Sequence, residues 1–310
     1  MAARNKFQTQ IRRAQNNALV KRWINDPSLW VEAFVLVNLA FLSLDIYLAH
    51  STNQFHRRTE YIPLYFSFVA PIILLIGLVM RERFGYVLVS RDLGYLVGWL
   101  AILIGLTGVI LHLDSRFFYD NTLKSLTYAA PFAAPLAYTG LGLLLVVNRM
   151  VETRTEEWAY WVLLLALGGF FGNFVFSLSD HAVNGFFRKI EWLPVASSAF
   201  AVSFLAVPFV VKVERKYLLL CAAILVLQGF VGVLGFVLHV WADADGPSSK
   251  LIENIIHGAP PLAPLLFPNL VLLSLIALWT LREHVGPLEK SQGEEKGLPP
   301  PAEKSSQSIA

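Results

Sequence analysis

Eight apolar stretches recur along this chain, at 29–49, 62–80, 93–113, 128–147, 158–178, 193–211, 217–240 and 259–281, each bounded by a short polar or charged connection. Each is roughly 20 residues long, the length at which a helix crosses about 30 Å of hydrocarbon. The pattern predicts an all-α polytopic membrane protein with eight transmembrane helices.

A second regularity sits on top of the first. The segment Gly105-Leu-Thr-Gly108-Val-Ile-Leu111-His112 returns as Gly232-Val-Leu-Gly235-Phe-Val-Leu238-His239. Each copy is followed by an Ala-Pro-x-x-Ala-Pro-Leu element, at Ala130–Leu136 and Ala259–Leu265. Upstream, His50-x-x-Asn53-x-Phe55-x4-Glu60-Tyr61-Ile62-Pro63 answers His181-x-x-Asn184-x-Phe186-x4-Glu191-Trp192-Leu193-Pro194, and Trp30 matches Trp161 at the same offset. A period near 130 residues is far too long for a solenoid and reads as one unit duplicated and fused. Four spans per unit return the chain to its starting side, so the halves are expected to be parallel repeats related by an axis along the membrane normal. The expected organisation is a basic cytoplasmic segment at 1–28, repeats at 29–148 and 149–282, and a disordered cytoplasmic tail at 283–310.

Composition agrees that the solvent is lipid. Hydrophobic residues make up 55% of the chain against 15% charged, with mean hydropathy +0.55, too little polar surface for a water-soluble globule of 310 residues. Of the 25 Lys and Arg, eighteen fall in segments that are cytoplasmic if the N-terminus is inside, and seven in the outer loops. This bias places both termini in the cytoplasm of a bacterial-type inner membrane. It also accounts for the net charge of +3 without a nucleic-acid partner. The expected partners are the bilayer and other membrane subunits. Residues 1–28 have no central apolar run, so no cleavable signal peptide is expected and the first span serves as the anchor. Cys221 is the only cysteine, which excludes disulfides, iron–sulfur clusters and thiolate-rich metal sites within one chain.

On this topology the four repeated histidines share the outer side. His112 and His239 end their spans, His50 and His181 stand where theirs emerge, and Asp114, Asp180, Glu60 and Glu191 lie nearby. Ionisable groups at membrane depth are costly and mark functional sites by default. Gly108 and Gly105, at i−4 and i−7 from His112, form a strip without side chains on the histidine's own helix face; Gly235 and Gly232 repeat it below His239. Such a strip admits either another helix backbone or a planar cofactor such as haem. Imidazole with carboxylate suits a transition metal and equally suits proton transfer. His50, His181, Glu60 and Glu191 are therefore candidate metal residues, supported by Asp114, Asp180, Asn53 and Asn184, with helix capping by Asn and pairing of Glu with Arg57 or Arg188 as the structural alternative. Pro131 and Pro260 suit a first helical turn, whereas Pro135 and Pro264 are expected inside their helices as kinks. The chain has no phosphate-cradling loop, no Gly-x-Ser-x-Gly elbow and no His-Glu-x-x-His helix. The leading expectation is an outward-facing site for a transition metal or haem, serving membrane redox chemistry or metal handling. A proton-coupled secondary transporter and a non-catalytic subunit of a membrane complex are the rivals.

Overall fold

A computed structural model describes residues 25–285; the basic segment before it and the tail after it lie outside the described residues. Within that range every regular element is helical and no strand occurs. The principal helices are α1 (Pro27–Ser51), α2 (Tyr61–Phe84), α3 (Val87–Asp114), α4 (Leu136–Met150), α5 (Glu156–Val183), α6 (Trp192–Ala206), α7 (Arg215–Ala244) and α8 (Leu266–His284). Short helices at Phe117–Asp120, Leu123–Thr127 and Leu251–His257 fill the connections after α3 and α7. Seven of the long helices, α6 and α8 with their adjoining 3-10 turns, are long and apolar enough to cross a membrane. The chain is a helical multi-pass membrane protein.

The helix ends follow from local sequence. Asp26 caps α1 by accepting from the Ser28 N–H at 3.0 Å, with Pro27 in the first turn where its missing N–H costs nothing. Thr155 caps α5 through the Trp158 N–H at 3.1 Å. Gly85 closes α2 in the left-handed conformation, φ 72°, and this turn sends the chain directly into α3.

The fourth apolar stretch departs from expectation. A span over 128–147 was predicted, but α4 begins only at Leu136 and holds 15 residues, about 22 Å of helix. The cause is Pro135, which stands at the N-cap rather than inside the helix, so residues 128–135 form turns and no kink is needed. Pro264 likewise occupies a 3-10 turn before α8, and Pro268 falls within the first turn of α8 among N–H positions that lack intrahelical partners anyway.

α1 packs on α2 and α4, α3 on α2 and α4, α5 on α6 and α8, and α7 on α6 and α8; α4 with α5 and α1 with α8 join these two groups. Leu39, Val97, Leu144, Leu163, Phe170 and Ala277 lie in one continuous core, whereas Val37, Tyr65, Leu103 and Phe230 point outward to lipid. Two polar features cross that core. Asn38 of α1 and Asn269 of α8 bond each other reciprocally, and the Asn38 amide also donates to the Phe34 carbonyl at 2.8 Å. Glu32, 2% exposed, pairs with Arg149 at 2.7 Å and lies 3.5 Å from Arg81.

The histidines gather at the end remote from Glu32. The Thr52 hydroxyl, just past α1, donates to the Ile256 carbonyl in the connection after α7 at 2.9 Å, so the histidine ends of α1 and α7 share one side of the bundle.

Candidate functional site

Two clusters, alike in geometry, form at that side. In the first, His50 at the end of α1 and His112 at the end of α3 lie with ring centroids 6.2 Å apart and planes at 77°. In the second, His181 and His239 lie 6.4 Å apart at 83°. The sequence grouped all four histidines on one side; the structure sorts them into one pair per half.

In each pair a proline carbonyl orients one histidine and a glutamate stands near the other. His112 Nδ1 is 2.9 Å from the Pro131 carbonyl and His239 Nδ1 is 2.8 Å from the Pro260 carbonyl. A carbonyl only accepts, so Nδ1 donates in both and Nε2 keeps its lone pair in the neutral ring. His50 Nδ1 lies 3.3 Å from Glu60 Oε2, and His181 Nδ1 lies 3.9 Å from Glu191 Oε2.

The loop carrying the glutamate is built the same way twice. After α1, Gln54 and Phe55 take φ of 58° and 51°; after α5, Gly185 and Phe186 take 70° and 51°. Positive φ is a strained conformation for a bulky aromatic, and it is held here on both sides. The Phe55 N–H reaches the His50 carbonyl at 3.0 Å and Phe186 reaches that of His181 at 3.1 Å, while the rings stack on Tyr61 at 4.6 Å and Trp192 at 4.0 Å. A 3-10 turn, Arg58–Glu60 or Lys189–Glu191, then delivers the glutamate under its histidine.

The supporting residues divide. Asn53 donates to Glu60 Oε1 at 3.2 Å and joins the first cluster, whereas Asn184 stands at the C-cap of α5. Glu60 accepts from the backbone N–H of Arg57 at 3.3 Å; the Arg57 guanidinium turns instead to the exposed Asp114 at 3.9 Å. Asp180 faces inward beside His181. Away from the spans, Glu253 accepts from the Ser248 hydroxyl at 2.7 Å and Lys250 at 3.0 Å, contacts that hold its carboxyl below the ordinary value.

The glycine strips face polypeptide. A side chain at Gly108 would meet Pro135 Cβ at 2.8 Å, and one at Gly235 would meet Pro264 Cβ at 2.9 Å. At Gly105 it would strike Thr139, and at Gly232 the Pro264 carbonyl at 2.7 Å. The close approach of the Pro-bearing segments is what requires glycine here, and it leaves no slot for a planar ring.

Beneath His181 and His239 opens a cavity of about 60 Å³, walled by α5, α6, α7 and the start of α8 and lined by Asp180, Ser177 and Asn173. That volume takes a few waters or an ion, since one water needs roughly 10–15 Å³. It is far below the roughly 300–1,000 Å³ of an organic-ligand pocket. Among the described residues, no three His, Cys, Asp or Glu side chains converge as a metal-binding group. Asn173, Ser177 and the Glu32–Arg149 pair escaped the sequence reading; a polar stripe at i, i+4, i+7 and a carboxylate inside the first span were the signals that pointed to them.

No protein-family model matches this chain, and no curated protein or solved structure matches it either.

Proposed function

We propose that this protein is an eight-span membrane protein of the bacterial inner-membrane type, two parallel four-helix repeats with cytoplasmic termini, that takes a transition-metal ion at its outer face for metal handling or membrane redox chemistry. The observation that carries this reading is the arrangement of Nδ1 in His112 and His239, each bonded to a proline carbonyl, with a glutamate oxygen 3.3 Å from Nδ1 of His50 and 3.9 Å from that of His181. Oxygen partners of this kind orient ligating histidines, leaving Nε2 for the metal. With two imidazoles per cluster, the ion would complete its shell with water or an incoming ligand, which suits a site that acquires and releases its metal. The small cavity favours a bare ion over haem.

The test is metal content per folded protein after purification in detergent and reloading with zinc or copper. His112→Gln and His239→Gln keep a polar group of similar size but offer poor coordination. Loss of bound metal from both variants at unchanged stability is the expected result; equal metal content in variants and wild type would overturn the reading. A proton-coupled transporter is the second reading, and it is favoured by one specific feature, the polar cavity below the second cluster.

A further inference from the structure

The two histidine pairs are alike, but what lies beneath them is not. On α5, Asn173, Ser177 and Asp180 stand at i, i+4 and i+7, one face of the helix, and all three line the cavity under His181 and His239. The repeat aligns them with Leu42, Ile46 and Ala49 of α1. Asn173 is 5% exposed, and its Nδ2 has no hydrogen-bond partner in the protein. An amide left so in an apolar bundle costs free energy unless something bonds to it. The remaining wall differs too. Tyr138 of α4, aligned with Phe267 of α8, fills the corresponding space in the first half with a hydroxyl that donates to the Pro63 carbonyl at 2.8 Å and bonds Ser67. Phe267 has no hydroxyl, and Ser198, aligned with Ser67, turns back to the Pro194 carbonyl at 2.7 Å.

We propose that the second half holds a water-filled inlet running from His181 and His239 past Asp180 and Ser177 to Asn173, and that the first half is its sealed counterpart. The cavity of about 60 Å³ accommodates a short water file. Asp180 and Ser177 offer partners along the path, and the free Asn173 amide ends it. One turn further along α6 and α7 from the lining residues Pro194 and Val231, the Ser197 hydroxyl donates to the Gln228 side-chain carbonyl at 2.5 Å. Such a file admits small hydrated cations, hydronium included, into the bilayer on one side of the protein only. The proposal stands apart from the metal reading, because removing the imidazole ligands leaves this stripe in place.

Cysteine reactivity tests it. In a Cys221→Ser background, Asn173→Cys and Ser177→Cys are compared with Leu42→Cys and Ile46→Cys, using a small water-soluble methanethiosulfonate on the membrane-embedded full chain. The thiolate is the reacting species, and each unit by which an apolar site raises a thiol's pKa lowers its thiolate fraction tenfold, so the second-half positions are expected to react on the order of tenfold faster or more. Equal rates in the two halves overturn the inlet. A measurement on the unsubstituted protein covers variants that fail to fold: radicals generated from water oxidise side chains that touch water. Phe267 is expected to gain oxygen faster than its aligned partner Tyr138, and the reverse order overturns the proposal.

Discussion

Around His50 and around His181 the chain repeats its geometry nearly contact for contact, down to a phenylalanine at φ 51° in each loop. At the opposite end the two halves part company. Glu32 and Arg149 make a buried ion pair in the first half, and the positions aligned with them are Leu163 and Leu278, both buried in the apolar core. The contrast teaches where local sequence dictates structure. The histidine loops are specified by turn chemistry within a dozen residues, so similar strings fold alike. The bundle interior is specified by single side chains on inward faces, where one exchange of Leu for Asn or Glu changes what the space holds.

The sharpest way to break this comparison is to rewrite the first half as the second. Glu32→Gln leaves Arg149, 7% exposed, without its carboxylate and is expected to cost about 3–5 kcal/mol in detergent unfolding. The double variant Glu32→Leu with Arg149→Leu copies the second half and should recover most of that loss, because hydrophobic replacement of a buried pair is often neutral or stabilising. A double variant as unstable as the single would mean that the two ends are built on different packing.

Next come Gly108→Leu and Gly235→Leu. Both drive a branched side chain into a proline, and each should lose about 1–3 kcal/mol by overpacking. Similar losses support equivalence of the two helix crossings, while a large inequality in thermal unfolding argues against it. Tyr138→Phe converts the first-half plug to the second-half residue and removes the bond to the Pro63 carbonyl, at a cost of about 0.5–1.5 kcal/mol. The reciprocal Phe267→Tyr is expected to slow thiol labelling at Ser177→Cys by filling the cavity.

The smallest effect lies in the connection after α7. Glu253, its carboxyl held below the ordinary value of 4.5 by Ser248 and then Lys250, contributes to the order of the Leu251–His257 helix above that value. A depressed native pKa means that the contribution is lost as pH falls through it. Once exchange rates are corrected for their intrinsic pH dependence, amide protection in this helix should fall as the wild type is acidified through the Glu253 titration and should not respond to the same change in Glu253→Gln.

Much of this architecture is legible from hydropathy alone: seven long helices fall where apolar runs predict them, because lipid permits few alternatives to a helix. The start of α4 was misplaced because Pro135 was read as an interior kink, whereas a proline at a helix entrance is the less costly arrangement. Of the site, the spacing of the repeat identified His50, His112, His181 and His239 but not which would pair, since pairing depends on how α1 meets α3 and α5 meets α7 in space. The Nδ1 contacts to Pro131 and Pro260 were likewise invisible, because they arise from backbone carbonyls that any residue supplies.

The bond between Asn38 and Asn269 also has a temporal side. Its partners are separated by 231 residues, so the first span is made long before the last can reach it. At about 5–20 residues per second that interval is roughly 12–46 s. During it the Asn38 amide has the Phe34 carbonyl of its own helix for company, and its reciprocal partner arrives only when α8 enters the bilayer. Closure of this pair therefore waits for α8: a chain released before residue 269 leaves the Asn38 amide without its partner across the bundle.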